Sequence, residues 1–328
     1  MMVRFGIIGT NTITEKFLQA ARQHPDFEFT AVYSRTEERA EEFAEKHGAA
    51  HTFTSVQELA KSDVLDAVYI ASPNSFHAEQ AIVCMEHKKH VLCEKPMASN
   101  QKEVASMINT ARTEGVLLME AVKSTLLPGF RSLHDNLHKI GQVRRFVGNF
   151  CKYSSRYDAY KEGTVLNAFN PKFSNGSLMD LGVYGIYPMV VLFGEPKTVH
   201  ANAVMLESGV DGEGSLIAEY EGMEAVIMHS KIQHSYAPSE IQGEKGSIII
   251  PDISEPEGIE IYYKDGTNES LTPEDVYDPM FYEVQEFISL IKNQQSQSLV
   301  NSHENSLVAA KVMEEVRRKI GLVFPGDL

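Results

Sequence analysis

Over its first ~120 residues the chain alternates short runs of β-branched and aromatic residues with stretches of helical spacing, and few folds accept that rhythm. The run Val3-Arg4-Phe5-Gly6-Ile7-Ile8 turns at Gly9 into a helix expected over 14–23. Further strands are expected at 29–33, 64–71, 90–93 and 116–119. Helices are expected at 37–47, stopped by Gly48, and at 78–87. Sequential right-handed crossovers of this kind give a doubly wound parallel sheet whose ligands lie beyond the carboxyl ends of the strands.

After Glu120 the rhythm changes. Strands expected at 143–150, 199–205, 215–220, 225–229 and 247–250 are joined by turns, with Glu221-Gly222-Met223 and Lys264-Asp265-Gly266 as hairpin connections. Helices are expected at 129–139, 179–193 and 279–292, and a last one runs from a Ser302 cap to Gly321. The fold class is therefore α/β. A doubly wound parallel-sheet domain over 1–122 precedes an α+β domain over 123–328 with a mostly antiparallel sheet.

Composition excludes several partners. The formal net charge of -15, with no run of lysines or arginines, argues against nucleic acid. The start, MMVRFGIIG, lacks the pattern of a signal peptide. No segment reads as the roughly 20 apolar residues that span a bilayer, so no membrane association is expected. Cys84, Cys93 and Cys151 show no paired spacing, which predicts reduced thiols, a cytoplasmic location and no metal site.

Gly9-Thr10-Asn11-Thr12-Ile13-Thr14 lies where a G-x-G-x-x-G/A dinucleotide loop would hold a pyrophosphate. Only the first glycine is present. Asn11 takes the second position, where tolerance of positive φ would help it, and Thr14 the third. A plain strand-turn-helix is the competing account. The second strand ends in Ser34-Arg35-Thr36, with Arg39 one turn into the next helix and no acid directly after the strand. A hydroxyl and guanidinium pair suits a 2′-phosphate, so NADP is expected over NAD. Otherwise Arg35 and Arg39 would merely balance Glu37, Glu38, Glu41 and Glu42.

Two later strand ends complete the pattern. Ser72-Pro73-Asn74-Ser75-Phe76-His77 offers Ser72, Asn74 and His77 near the nicotinamide half of a dinucleotide, although such a turn needs no ligand and a packed His77 is the commoner case. Cys93-Glu94-Lys95-Pro96 follows an apolar strand with an acid, a cation and a ring. Lys95 there could stabilise a developing alkoxide or lower a neighbour's pKa, Glu94 would sit beside the cofactor, and a cis bond before Pro96 is expected.

Taken with Met119-Glu120-Ala121 and Asn175-Gly176-Ser177-Leu178-Met179-Asp180-Leu181-Gly182-Val183-Tyr184, these motifs resemble the Gfo/Idh/MocA oxidoreductases along nearly the whole chain. The resemblance implies a Rossmann domain followed by an open-faced sheet domain, through which members pair as homodimers or homotetramers. It implies that Lys95 and Asp180 are active-site residues. Tyr184 stands where many members carry histidine, as in the branch containing glucose–fructose oxidoreductase and dimeric dihydrodiol dehydrogenase, and is implied as the acid/base. Asn11, Asn175 and Thr125 depart from the family pattern.

Hydride leaves a carbinol carbon only as the hydroxyl proton leaves, so a base must lie within hydrogen-bond reach of that oxygen. A tyrosine titrates near ~10 when free, and an adjacent ammonium favours its phenolate. Lys95 and Tyr184 are therefore expected to converge, with Asp180, four residues earlier on one helix face, holding a substrate hydroxyl or orienting Lys95. Tyr153, Arg156, Phe169 and Asn170 fall in a polar-aromatic stretch that could line a sugar pocket. The expected activity is NADP-dependent oxidation or reduction of a sugar, sugar derivative or cyclic diol. The alternatives are hydride exchange between two sugars on tightly bound NADP, or a nucleotide-binding sensor without turnover.

Overall fold

The computed structural model describes residues 2–273 and 277–328, and these pack as two compact units. The first comprises Met1–Ala121 and Tyr277–Leu307, the second Val122–Val276 and Val308–Leu328. The division differs from a single cut after 122, because 277–307 returns to the first unit. In that segment Phe287 packs on Phe5, with ring centroids 5.8 Å apart, and Lys292 pairs with Asp26 at 2.6 Å.

The first unit holds a parallel sheet of six strands: β1 (Val3–Ile8), β2 (Phe27–Tyr33), β3 (His51–Phe53), β4 (Ala67–Ile70), β5 (His90–Glu94) and β6 (Leu118–Ala121). Their order is β3-β2-β1-β4-β5-β6, so the strand order reverses between β1 and β4 and opens a crevice at their carboxyl ends. Helices α1 (Thr12–Ala21), α2 (Glu37–His47), α3 (Val56–Lys61), α4 (His77–Glu86) and α5 (Gln101–Glu114) connect them. β4 is shorter than the apolar run 64–71 suggests, because Asp66 is spent on Arg4: it accepts from the Arg4 backbone N–H at 3.0 Å and pairs with its guanidinium at 2.6 Å.

The second unit is built on an eight-stranded sheet. Its strands are β7 (Val143–Cys151), β8 (Thr198–Met205), β9 (Asp211–Glu219), β10 (Glu224–Ser230), β11 (Ser239–Gly243), β12 (Gly246–Ile250), β13 (Glu260–Tyr263) and β14 (Asn268–Ser270). All neighbours run antiparallel except β10 and β7. Register makes the sheet two-faced. Ile248, Ile241, Phe146, Ala225, Ala218 and Val199 align across it and are buried. Residues one position on point the other way, among them Ile217, which is 43% exposed. Helices α6 (Pro128–Asn136), α7 (Tyr157–Lys161) and α8 (Val183–Phe193) belong to this unit.

The segment Pro171–Phe193 is, contrary to the sequence expectation, long and apolar enough to cross a membrane by length and composition. Two-thirds of its apolar window is buried within the protein, where Val183, Ile186, Tyr187 and Val190 join the core. That burial explains its apolar character.

Candidate active site

Gly9 ends β1 at φ +112°, and a Cβ there would lie 2.7 Å from the Ala71 carbonyl oxygen, so the loop closes only on glycine. Asn11 plays a different part from the one its type suggested. Its φ is -102°, so tolerance of positive φ is not used; instead it caps α1. Its Oδ1 accepts from the Ile13 and Thr14 N–H groups at 3.1 and 3.2 Å, and its Nδ2 donates to the Ala71 carbonyl at 2.7 Å. Thr14 donates to the Gly9 carbonyl at 3.0 Å. A carboxamide thus ties the β1 turn to the end of β4, while Thr10, Thr12 and Ile13 stay at least partly exposed.

Arg39 reaches back from α2 onto this loop, donating through Nη2 to the Thr10 carbonyl at 3.1 Å and through Nε to Thr10 Oγ1 at 3.3 Å. Its Nη1 also pairs with Glu42 at 3.2 Å. Ser34 is buried with its N–H on the Phe53 carbonyl at 3.1 Å, and Arg35 is exposed beside it. A glycine-only turn at a helix N-terminus, with a guanidinium over it, fits a dinucleotide phosphate.

Lys95 sits half-buried on a braced shelf, and the Lys95–Pro96 bond is cis as expected. Glu94 is buried: it accepts from the Tyr69 hydroxyl at 2.6 Å and from the Lys95 N–H at 3.2 Å. His77, expected near the cofactor, is fully buried instead, with Nδ1 3.0 Å from the Pro96 carbonyl and Nε2 2.8 Å from that of Ser72. It joins the two strand-end loops rather than facing a ligand, the packed role that histidine more often has. Ser72 donates to Gln80 at 2.6 Å, and Asn74 is buried in the turn ahead of α4.

Beneath Lys95, Glu120 accepts from the Met97 N–H at 2.8 Å, and burial pushes its carboxyl up to about 7. The folded value lies above the ordinary 4.5, so the fold holds this proton more tightly than the unfolded chain does. Stability should therefore decline as pH rises from about 4.5 to about 7. Glu120→Gln is expected to remove roughly 3 kcal/mol of that decline, at about 1.4 kcal/mol per pH unit. Urea unfolding at pH 5 and pH 8 measures it, and equal slopes in variant and parent would refute the assignment.

In the second unit Asp180 and Tyr184 share a helix. One wide π-type turn, Leu178–Gly182, leads into α8 and carries Asp180. Gly185 seats that helix on the sheet, since a Cβ there would lie 2.6 Å from Ile227 Cγ2. Tyr184 is half-buried, its ring 5.2 Å edge-on from that of Phe150. Below the turn, Asp211 accepts from the Leu178 N–H at 2.6 Å, and Ser177 Oγ lies 2.9 Å from His229 Nδ1. Burial raises the Asp211 carboxyl to about 7 and lowers His229 to about 3. Asn175 braces the approach by donating to the Asn167 carbonyl at 2.7 Å, and buried Thr125 donates to the Val122 carbonyl at 2.9 Å.

Lys231, directly after β10, was not singled out from sequence, yet it forms a salt bridge with Asp180. Its Nζ also donates to the Ala168 carbonyl at 2.7 Å and lies 4.9 Å from the centre of the Phe169 ring. The clue was present: like Lys95, it is a cation following an apolar strand. Of the proposed pocket residues, Phe169 therefore gathers with Lys231 and Asp180, and Tyr157 and Tyr160 pack on it at 5.6 and 5.3 Å. Tyr153 is turned aside, donating to Asp158 at 2.7 Å and lying against His234. Arg156 is exposed at the start of α7, and Asn170 caps a turn by accepting from the Lys172 N–H at 3.0 Å. Lys95 belongs to the first unit, Asp180 and Tyr184 to the second.

Residues 3–122 match the family model described as an oxidoreductase family with an NAD-binding Rossmann fold, and 136–249 match a GFO/IDH/MocA C-terminal domain. The chain is 60% identical over 326 residues to scyllo-inositol 2-dehydrogenase (NADP(+)) of Bacillus subtilis, covering 99% of each. The chain belongs to the Gfo/Idh/MocA family. Trans-1,2-dihydrobenzene-1,2-diol dehydrogenase of Danio rerio is 30% identical over 344 residues, covering 100% of this chain and 99% of that one. A solved levoglucosan dehydrogenase, in complex with NADH and levoglucosan, shares the fold of this Gfo/Idh/MocA member with a TM-score of 0.86 at 19% identity, over 98% of each chain. As a Gfo/Idh/MocA member the protein is an NAD(P)-dependent oxidoreductase acting on CH–OH groups.

Proposed function

We propose that the protein interconverts a carbinol and a ketone on a small cyclic polyol, with NADP as cofactor. Support comes from the identity to a dehydrogenase named for scyllo-inositol and NADP(+), and from the Arg39 guanidinium over the glycine turn. The observation that carries the reading is the helix with Asp180 on its entry turn and Tyr184 one turn later, seated on the sheet beside Lys231.

NADP, when bound, supplies the carrier of the hydride. Thr10, Ser34, Arg35 and Arg39 would hold it, the two arginines supplying the positive charge that suits a 2′-phosphate. Tyr184 takes the substrate hydroxyl proton onto its phenolic oxygen during oxidation and returns it during reduction. Lys95 supplies a cation that stabilises the alkoxide developing on the substrate. Asp180 accepts a hydrogen bond from a neighbouring substrate hydroxyl and so fixes which carbon reacts. An acid at that place suits a ring with several hydroxyls better than an isolated alcohol.

The test is cofactor titration by fluorescence with NADPH and NADH, then a screen of inositols, aldoses and cyclic diols at 340 nm. Charge-assisted hydrogen bonds contribute about 1.5–3 kcal/mol each, so Arg35→Ala/Arg39→Ala should weaken NADPH roughly 100-fold or more. NADH, which has no 2′-phosphate, should lose far less, so the NADPH preference should collapse. A double variant that keeps its NADPH preference would remove these residues from 2′-phosphate recognition.

A further inference from the structure

We propose that Lys231 is the positioning residue for Asp180: its buried ammonium aims the carboxylate that receives the substrate hydroxyl. The inference deepens the functional reading above and rests on its assignment of Asp180.

The geometry is asymmetric. The Lys231 side chain is 6% exposed and that of Asp180 23%, so the amine is the hidden half of the pair and the carboxylate the presented half. An ammonium has three donors. One goes to Asp180 and one to the Ala168 carbonyl at 2.7 Å, while the Phe169 face lies 4.9 Å away. These fix the amine from three directions. The backbone is held as well: the Lys231 N–H donates to the Gly212 carbonyl, and its own carbonyl accepts from Ser154 N–H, both at 2.8 Å. Little slack remains in the side chain, and Asp180 inherits its position.

Stability alone accounts poorly for such a lysine. Burying an ammonium costs several kcal/mol even after relaxation, and replacing a buried ion pair by apolar residues is often neutral or stabilising. An acid held at a fixed point, on the turn that leads to Tyr184, explains what the cation does there. Phe169 then has a role too: as a wall behind the amine it keeps the ammonium turned toward Asp180.

The experiment is a double-mutant cycle on Lys231→Met, Asp180→Asn and their combination, assayed with NADP+ and scyllo-inositol. Lys231→Met should lower kcat/KM for the polyol by about 10- to 100-fold, while the Kd for NADPH changes less than about twofold. In the Asp180→Asn background the same change should cost less than about threefold, because the group it positions is already gone. Lys231→Arg, which keeps the charge, should recover part of the loss; Lys231→Gln replaces Lys231→Met if thermal melting shows that the latter does not fold. Equal losses from the lysine change in both backgrounds, or weakened NADPH binding in step with turnover, would overturn the inference alone. Full activity of Asp180→Asn would overturn it together with the assignment of Asp180, and no polyol turnover by the parent would overturn the substrate reading first.

Discussion

Tyr184→Phe should lose about 10²- to 10⁴-fold in kcat for polyol oxidation while binding NADPH as the parent does. That range is what a positioned general base contributes, and the change deletes one oxygen from a ring otherwise kept in place. The ring is held by its edge-on contact with Phe150 and by the close seating of the helix at Gly185 on Ile227. Packing should therefore survive, and the thermal midpoint should move little. Stopped-flow absorbance at 340 nm separates the hydride step from product release, and the loss must appear in that step. A variant with the parent's single-turnover rate would take the proton-transfer role away from Tyr184. A variant slow only in product release would do the same.

How far these roles could be read beforehand depended on how local each signal was. β1, α2 with its Gly48 stop, and the hairpins at Glu221-Gly222-Met223 and Lys264-Asp265-Gly266 follow from adjacent residues, and they stand where expected. His51–Phe53 and Asn268–Ser270 carry no legible strand signal, because strands of three residues hold too few alternations to show a period. Asn11 stands in the turn as expected, but it acts there as a helix cap rather than through a positive φ. A side chain that caps a helix and reaches Ala71 sixty positions away uses contacts that local φ preferences do not encode. Separation in sequence likewise hides Lys231, 51 residues beyond Asp180, whereas His77 packs between the nearby carbonyls of Ser72 and Pro96, the role its type more often has. Residue type marked where chemistry could occur; the tertiary fold decided which groups were aimed and which were braces.

Lys95→Met should be the second severe lesion, and its pH behaviour distinguishes it from the first. Its backbone is fixed by partners outside the side chain. The Pro96 carbonyl meets His77, the Met97 N–H meets Glu120, and Glu94 is tied to Tyr69. Removing the ammonium therefore changes charge far more than shape. Under the roles proposed above the site loses its cation, and kcat should drop roughly 10²- to 10³-fold at pH 7. Alkali should restore part of it: the variant's rate should keep climbing past pH 9, because a phenol left to itself ionises near ~10. Tyr184→Phe has no phenol to ionise and should show no such rise. A Lys95→Met profile parallel to the parent's across pH 6–10 would mean that the lysine acts by binding alone, through KM rather than through the proton.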